Sequence, residues 1–223
     1  MPGYGERVDK NPVTIALPKG RLLPDCVRFL SRAGLEVPDD LESSRKLLLS
    51  SRDGSVNFLM VRAKDLPTYV DYGAADLGVV GKDVLMEAGR DLPEPVDLLF
   101  GECRIVLAQP AAFTRGENRA EWKTSRVATK YPNITAGHFA SRGEQVEVIP
   151  LYGSVELAPL VGLADRIVDL VSTGETMREN NLVEVEEVAR ITARLVVNRA
   201  SLKIREKRIV PIIDRARDLL EKK

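Results

Sequence analysis

Ile167-Val168-Asp169-Leu170-Val171-Ser172-Thr173-Gly174-Glu175-Thr176-Met177 reads as a buried strand that runs through a hydroxyl-rich turn into a helix. A helix start presents backbone N–H groups without intrahelical partners and carries partial positive charge. Gly174 lets the backbone approach a bound anion, and Ser172, Thr173 and Thr176 add hydroxyl donors, so the turn is an anion cradle. Asp169 lies just ahead of it. A carboxylate repels phosphate but accepts hydrogen bonds from a ribose diol, so a 5-phosphate on the turn and the diol on Asp169 form one consistent pose. The same residues also read as a Ser/Thr helix cap with an acid nearby.

Outward from this corner, short β-branched runs alternate with helical patterns, which predicts an α/β fold with largely parallel sheets. Val13–Leu17 reads as the first strand, Leu22–Ala33 as a helix ending at Gly34, and Lys46–Ser50 with Asn57–Arg62 as a strand pair around Asp53-Gly54. Helices are expected over Asp65–Tyr72 and Lys82–Ala88, with a strand over Asp76–Val80 between them. Asp91–Pro95, rich in proline and charge, is a candidate crossing between lobes. Cys103–Ala108 reads as a strand, and Ala111–Thr124, with Trp122, as a surface insertion or loosely packed helix. Arg126–Thr129 opens a second series: a helix over Pro132–Ser141, a strand over Val146–Ile149, a helix over Ser154–Val161, the strand Ile167–Val171 and a helix over Glu175–Asn180. Thr192–Asn198 reads as a returning strand. Ser201–Lys223 reads as a helix pair or kinked helix broken near Pro211, because proline lacks the N–H donor.

Composition narrows the function classes. The chain has 223 residues, 44% hydrophobic and 30% charged, which suits one large or two small globular domains. Lysine plus arginine equals aspartate plus glutamate at 33 each, so the basic excess of a duplex-binding domain is missing. Cys26 and Cys103 have no metal-like spacing and form no disulfide framework. His138 is the single histidine and falls on a predicted helix beside Phe139, where packing is the simpler role; multi-histidine metal sites are excluded. Any metal is expected to be Mg²⁺ on oxygen ligands and substrate phosphates. No run has the length of a membrane span, and residues 1–10, read as a loose arm, lack the pattern of a secretory signal, so a cytoplasmic location is expected. Neither G-x-x-x-x-G-K-[ST] nor a strand-bound G-x-G-x-x-G occurs; Gly78-Val79-Val80-Gly81 has the wrong spacing.

Glu156, Gly162, Ala164, Ile167, Asp169, Thr173, Gly174, Thr176 and Met177 stand at the spacing of the ATP phosphoribosyltransferase signature. Leu17-Pro18-Lys19-Gly20-Arg21 resembles that family's N-terminal loop. Ser44-Arg45-Lys46, Arg62-Ala63-Lys64-Asp65, Asp76 to Lys82, Ala128-Thr129-Lys130-Tyr131-Pro132 and Tyr152 to Glu156 are similar to its other blocks, in order. The resemblance implies a two-lobed fold of the type II periplasmic-binding-protein kind, with the active site in the inter-lobe cleft. It puts residues 1–100 plus 182–223 in lobe one and 101–181 in lobe two. It implies transfer of the 5-phosphoribosyl group of phosphoribosyl pyrophosphate to N1 of ATP, the first step of histidine biosynthesis, with Mg²⁺ as cofactor. The length is that of the family's short form. That form implies a catalytically inactive relative of histidyl-tRNA synthetase as regulatory partner, a hetero-octamer with it and a dimer alone.

On that resemblance, Lys19, Arg21 and Arg45 are the candidates for stabilising the departing pyrophosphate, because two arginines grip phosphate oxygens in a bidentate way that lysine does not reproduce. Glu156 and Asp169 share the ribose contact, Ser172, Thr173, Gly174, Glu175 and Thr176 form the donor turn, and Lys130 is a further substrate-binding candidate. Glu175 stands at a position the signature leaves open and faces either solvent or Mg²⁺. For each cation the alternative is a solvated surface charge; for Glu156 it is a helix-dipole partner; for Arg62 it is an ion pair within its lobe. Two rival functions stay open. A nucleotide-salvage phosphoribosyltransferase also has an acid before Thr-Gly-x-Thr, but usually two adjacent acids, where Ile167 and Val168 precede Asp169 here. A non-catalytic two-lobed solute-binding protein is the other.

Overall fold

β-Branched and apolar runs of five or six residues build two separate sheets. The computed structural model describes residues 11–112 and 124–221; residues 1–10, Trp122 and most of the expected insertion lie outside them. In chain order the elements are β1 (Val13–Pro18), α1 (Leu23–Arg32), β2 (Leu48–Ser50), β3 (Val56–Val61), a 3₁₀ turn (Ala63–Asp65), α2 (Leu66–Asp71), β4 (Leu77–Gly81), α3 (Lys82–Ala88), β5 (Val96–Asp97), β6 (Cys103–Pro110), β7 (Ser125–Thr129), α4 (Pro132–Ala140), β8 (Val146–Pro150), α5 (Leu157–Leu160), β9 (Arg166–Val171), α6 (Glu175–Glu179), β10 (Leu182–Ile191), β11 (Ala193–Val197), α7 (Arg199–Ile204) and α8 (Glu206–Glu221). Two units result: Met1–Gly101 with Thr192–Lys223, and Glu102–Ile191.

The first unit holds a sheet of order β2-β3-β1-β4-β11-β5. β1 lies parallel to both β3 and β4, while β2, β11 and β5 run antiparallel to their neighbours. Ile15, Ala16 and Leu17 are fully buried, as a central parallel strand covered on both faces requires. One face packs Ile15, Leu17, Phe58 and Leu195 with α1 and α8; the other packs Ala16, Val80 and Val196 with Leu66 and Val70 of α2. α2 comes so close to β4 that a Cβ at Gly78 would lie 2.7 Å from Leu66 and 2.8 Å from Val70, so only glycine fits there.

The returning segment is locked by polar groups. Asp76, 5% exposed, accepts hydrogen bonds through Oδ2 from Thr14 N–H (2.8 Å) and Arg205 Nη1 (2.9 Å). Buried Asn198 caps α7 by accepting from Ser201 N–H (2.8 Å), and its amide donates to the Val70 and Asp71 carbonyls. The helical break therefore falls at Arg205, not near Pro211, which lies inside α8. A proline inside a helix costs about 3 kcal/mol. Burying Ile209, Ile212 and Ile213, at about 1.5–3 kcal/mol each, outweighs that. Asp91–Pro95 is not a crossing: Leu92 is buried in the first unit and the chain continues into β5, leaving the unit only after Gly101.

The second unit holds a sheet of order β10-β6-β9-β7-β8. β7 is parallel to β8 and β9; β6 is antiparallel to β9 and β10. From sequence, residues 182–191 fall in lobe one. In the structure they form β10 and pair along β6, so they belong to the second unit. The period-two pattern of this strand is broken by two register shifts, Glu184/Glu186 and Glu187/Ala189. Its acids pair with Arg104 of β6 (Glu184 and Glu187), with Arg142 in the turn after α4 (Glu186) and, within the strand, with Arg190 (Glu187).

Candidate active site

β7, β8 and β9 are parallel, so their carboxyl ends reach one edge of the second sheet. β8 and β9 flank β7 on opposite sides, so that edge contains the topological switch point at which open α/β sheets bind ligands. Lys130 follows β7, Tyr152 to Glu156 follow β8, and Asp169 to Thr176 occupy the end of β9 and its turn into α6. Segments far apart in sequence thereby supply one constellation.

Asp169 is its half-buried acid, with a side chain 14% exposed. Oδ1 accepts the Leu170 N–H at 2.8 Å, and Oδ2 lies 3.6 Å from Lys130 Nζ, an ion pair too long for a direct hydrogen bond. Burial pushes the Asp169 carboxyl above the usual aspartate range; the Leu170 N–H and the Lys130 charge pull it back, and the charge of Glu156 adds to the rise. Glu156 precedes α5 in helical conformation and makes no side-chain cap bond. α5 is one short turn, Leu157–Leu160, and not the longer helix expected over Ser154–Val161.

Gly174 is the N-cap of α6 and adopts φ +75°, a left-handed conformation that costs glycine nothing. The N-cap residue, being glycine, has no side chain with which to cap this helix. Thr173 Oγ1 sits 3.5 Å from the Glu175 N–H, at the limit of a hydrogen bond. Ser172, Thr173, Glu175 and Thr176 are exposed, and within the described residues the Ser172 and Thr176 hydroxyls take no hydrogen bond. The turn thus offers free donors beside a buried acid.

Two threonines hold the Lys130 side of the site. Thr129 and Thr135 are fully buried; Thr129 Oγ1 accepts from the Thr135 hydroxyl (3.1 Å) and from Tyr131 N–H (2.9 Å). This clamps the turn from β7 into α4 that carries Lys130. The sequence signal for Thr129 was its place at a strand end; nothing local marks Thr135.

Lys19, Gly20 and Arg21 follow β1, the strand flanked by β3 and β4 at the switch point of the first sheet. Gly20 has φ +105°, and the Lys19 N–H donates to the Val61 carbonyl at 2.8 Å. Lys19, Arg21 and Arg45 are exposed and form no ion pair among the described residues. His138 is packed: its ring meets Phe139 edge-on at 5.3 Å, and burial, with Arg142 nearby, lowers its proton affinity. Cys26 is fully buried, and its thiol is pushed far up by burial.

Among the described residues no three His, Cys, Asp or Glu side chains converge on a metal position. The carboxylates at this edge, Glu156, Asp169 and Glu175, are oxygen donors of the kind that suits a hard divalent ion. Among the described residues no helix is long and apolar enough to cross a membrane.

Two α/β units, each with a sheet whose parallel strands carry polar loops at the carboxyl edge, define the periplasmic-binding-protein type of fold. A histidine kinase sensor domain with similarity to periplasmic binding proteins shares it (TM-score 0.54, 12% identity, 95% of this chain and 91% of that chain). Within that class the relationship is specific. The model of the ATP phosphoribosyltransferase family, HisG, matches residues 62–218, and the chain belongs to this family. An ATP phosphoribosyltransferase of Syntrophotalea carbinolica is 59% identical over 201 residues, covering 90% of this chain and 92% of that protein. A chain of the ATP phosphoribosyl transferase (HisG:HisZ) complex from Thermotoga maritima is similar at TM-score 0.79 and 34% identity, covering 95% of this chain and all of that one.

Proposed function

We propose that the carboxyl edge of β7 and β9 seats the phosphoribosyl pyrophosphate of an ATP phosphoribosyltransferase, the first enzyme of histidine biosynthesis. The reading is carried by one observation: a half-buried Asp169 beside Lys130, just ahead of the glycine corner whose Ser172 and Thr176 hydroxyls are free. The 5-phosphate rests on Ser172 to Thr176, and Asp169 with Glu156 accepts the ribose hydroxyls. Lys130 offsets part of the cost of burying the Asp169 charge and is the candidate to meet a phosphate oxygen.

In the reaction, the lone pair of adenine N1 forms a bond to C1 of the ribose as the C1–O bond to pyrophosphate breaks, and that electron pair leaves with the pyrophosphate. N1 needs no deprotonation to attack, so a packed His138 is no handicap. Positioning and charge remain for the protein. Lys19, Arg21 and Arg45 stabilise the leaving group's growing negative charge. Mg²⁺, carried by the substrate phosphates, supplies further neutralisation of that charge when bound. The Glu175 carboxylate, exposed on the turn, is open to solvent or to that ion.

The reading extends to the cell. The chain is a cytoplasmic short-form catalytic subunit, a dimer alone and a hetero-octamer with a catalytically inactive histidyl-tRNA-synthetase-like subunit. The chain is similar to a component of a HisG:HisZ complex, which supports that partner. The test is pyrophosphate release from ATP and phosphoribosyl pyrophosphate with Mg²⁺. Product is expected with ATP and not with guanine, adenine or orotate; no release with ATP would discard the enzyme reading. Adding the synthetase-like subunit raises turnover and makes the reaction sensitive to histidine. Strong histidine inhibition of the chain alone would contradict the short form.

Arg21→Ala is expected to lower turnover by about tenfold or more while the melting temperature stays put, because an exposed, unpaired arginine contributes little to the fold. Steady turnover would make Arg21 a surface charge.

A further inference from the structure

Within the first unit, α1, the segment after β5 and the C-terminal end of α8 enclose a cavity of about 200 Å³. Phe29, Leu98, Leu99, Phe100, Leu219 and Leu220 supply its apolar lining. These walls are fixed. The Phe29 and Phe100 rings pack with centroids 5.6 Å apart. The Leu98 N–H donates to the Ala193 carbonyl and the Ala193 N–H to the Phe100 carbonyl, each at 2.9 Å, so β11 pins the segment. Gly101, at φ +66°, brings the chain so near the start of α1 that a Cβ there would lie 2.5 Å from Leu22. Leu99 adopts φ +54°, uncommon for a bulky side chain, with its N–H donating to Asp97 Oδ1 at 3.1 Å. The result is a leucine 58% exposed at the cavity. Backbone strain of this kind collects where proteins clamp ligands.

The charges on the lining all come from α1. Asp25, Arg28 and Arg32 recur at helical spacing and share one face of it. Arg28 is paired with Asp25 at 2.7 Å. Arg32 is exposed and has no ion pair among the described residues, so one positive charge stands uncancelled beside the apolar walls. An apolar pocket with one fixed charge selects an amphiphile of the opposite sign. A cavity of about 150 Å³ holds benzene, so this one has room for an aromatic ring with a short acid arm and too little for a nucleoside triphosphate. We infer that the cavity binds a small aromatic monocarboxylate. The ring packs against Phe100 and the leucines, and the carboxylate meets the Arg32 guanidinium fork. None of the proposed substrate-binding residues lines the cavity, so the inference stands apart from the transferase reading.

The experiment is calorimetric titration of the full chain with phenylacetate, repeated with the uncharged phenylacetamide and with the variants Arg32→Gln, Leu99→Ala and Arg199→Gln. Arg199, in α7 and paired with Asp91, is the charge-loss control away from the lining. Phenylacetate is expected to fill one saturable site per chain. Arg32→Gln, and the amide on the wild type, each weaken binding about tenfold or more. Leu99→Ala weakens it about three- to tenfold through lost apolar contact, and Arg199→Gln binds as wild type. Arg32→Gln keeps the wild-type melting temperature, because an exposed arginine contributes little to the fold. Saturating ATP or pyrophosphate leaves the acid bound. Absence of a saturable site, equal affinity in Arg32→Gln, or displacement by ATP overturns the inference.

Discussion

Replacing Asp169 with asparagine weakens phosphoribosyl pyrophosphate binding by about ten- to a hundredfold and leaves the protein at least as stable to heat. Hydrogen bonds to a charged group contribute about 1.5–3 kcal/mol, and 1.4 kcal/mol is a factor of ten in affinity. Asparagine substitutes an NH₂ donor for one carboxylate oxygen, so one donor-sugar hydroxyl loses its acceptor. Stability moves the other way because burial is the largest influence on this carboxyl and raises its folded proton affinity. With the folded value above the unfolded one, the folded state binds the extra proton between the two. Stability therefore falls as pH rises through that window, and the penalty persists at neutral pH. Asparagine carries no charge to bury and still accepts the Leu170 N–H. In the wild type, donor affinity falls on acidification at a higher pH than an ordinary aspartate would give. Titration of the donor beside a thermal melt checks both halves. Unchanged donor affinity would remove the diol role.

Asp76→Ala is expected to cost about 1–3 kcal/mol, the penalty for leaving a buried backbone donor unsatisfied. Asp76 is almost fully buried; its loss leaves the Thr14 N–H without its acceptor and takes the carboxylate from the Arg205 guanidinium, which keeps the Pro12 carbonyl and Asn11. Native domains are stable by only about 5–15 kcal/mol, so this single change removes a large share. Asp76→Asn retains an acceptor for Thr14 and should cost less. The denaturant midpoint measures the loss, and turnover per folded molecule should hold. A midpoint shift below that of the asparagine variant would mean that the Thr14 N–H finds another acceptor.

The strand-to-helix corner at Gly174 was legible because its residues are local. An apolar strand, a glycine and three hydroxyls lie within a few residues, and Gly174 adopts the conformation that such a turn demands. α3 forms over Lys82–Ala88, the residues its pattern predicts, for the same reason. Longer-range features were not legible. β10 carries an acidic, twice-shifted pattern whose partners, Arg104 and Arg142, lie in other elements. Pro211 looked like a breaker because propensity counts the missing N–H and not the isoleucines that α8 buries.

Sequence by itself determined the alternation of strands and helices, the family resemblance and the glycine turn between β9 and α6, since each depends on residues only a few positions apart. Tertiary structure alone decided that Lys130 faces Asp169 across 39 positions and that β10 joins the second sheet. Strand order and register set those neighbours, and both arise from how whole faces bury against one another, a quantity no short window of residues contains.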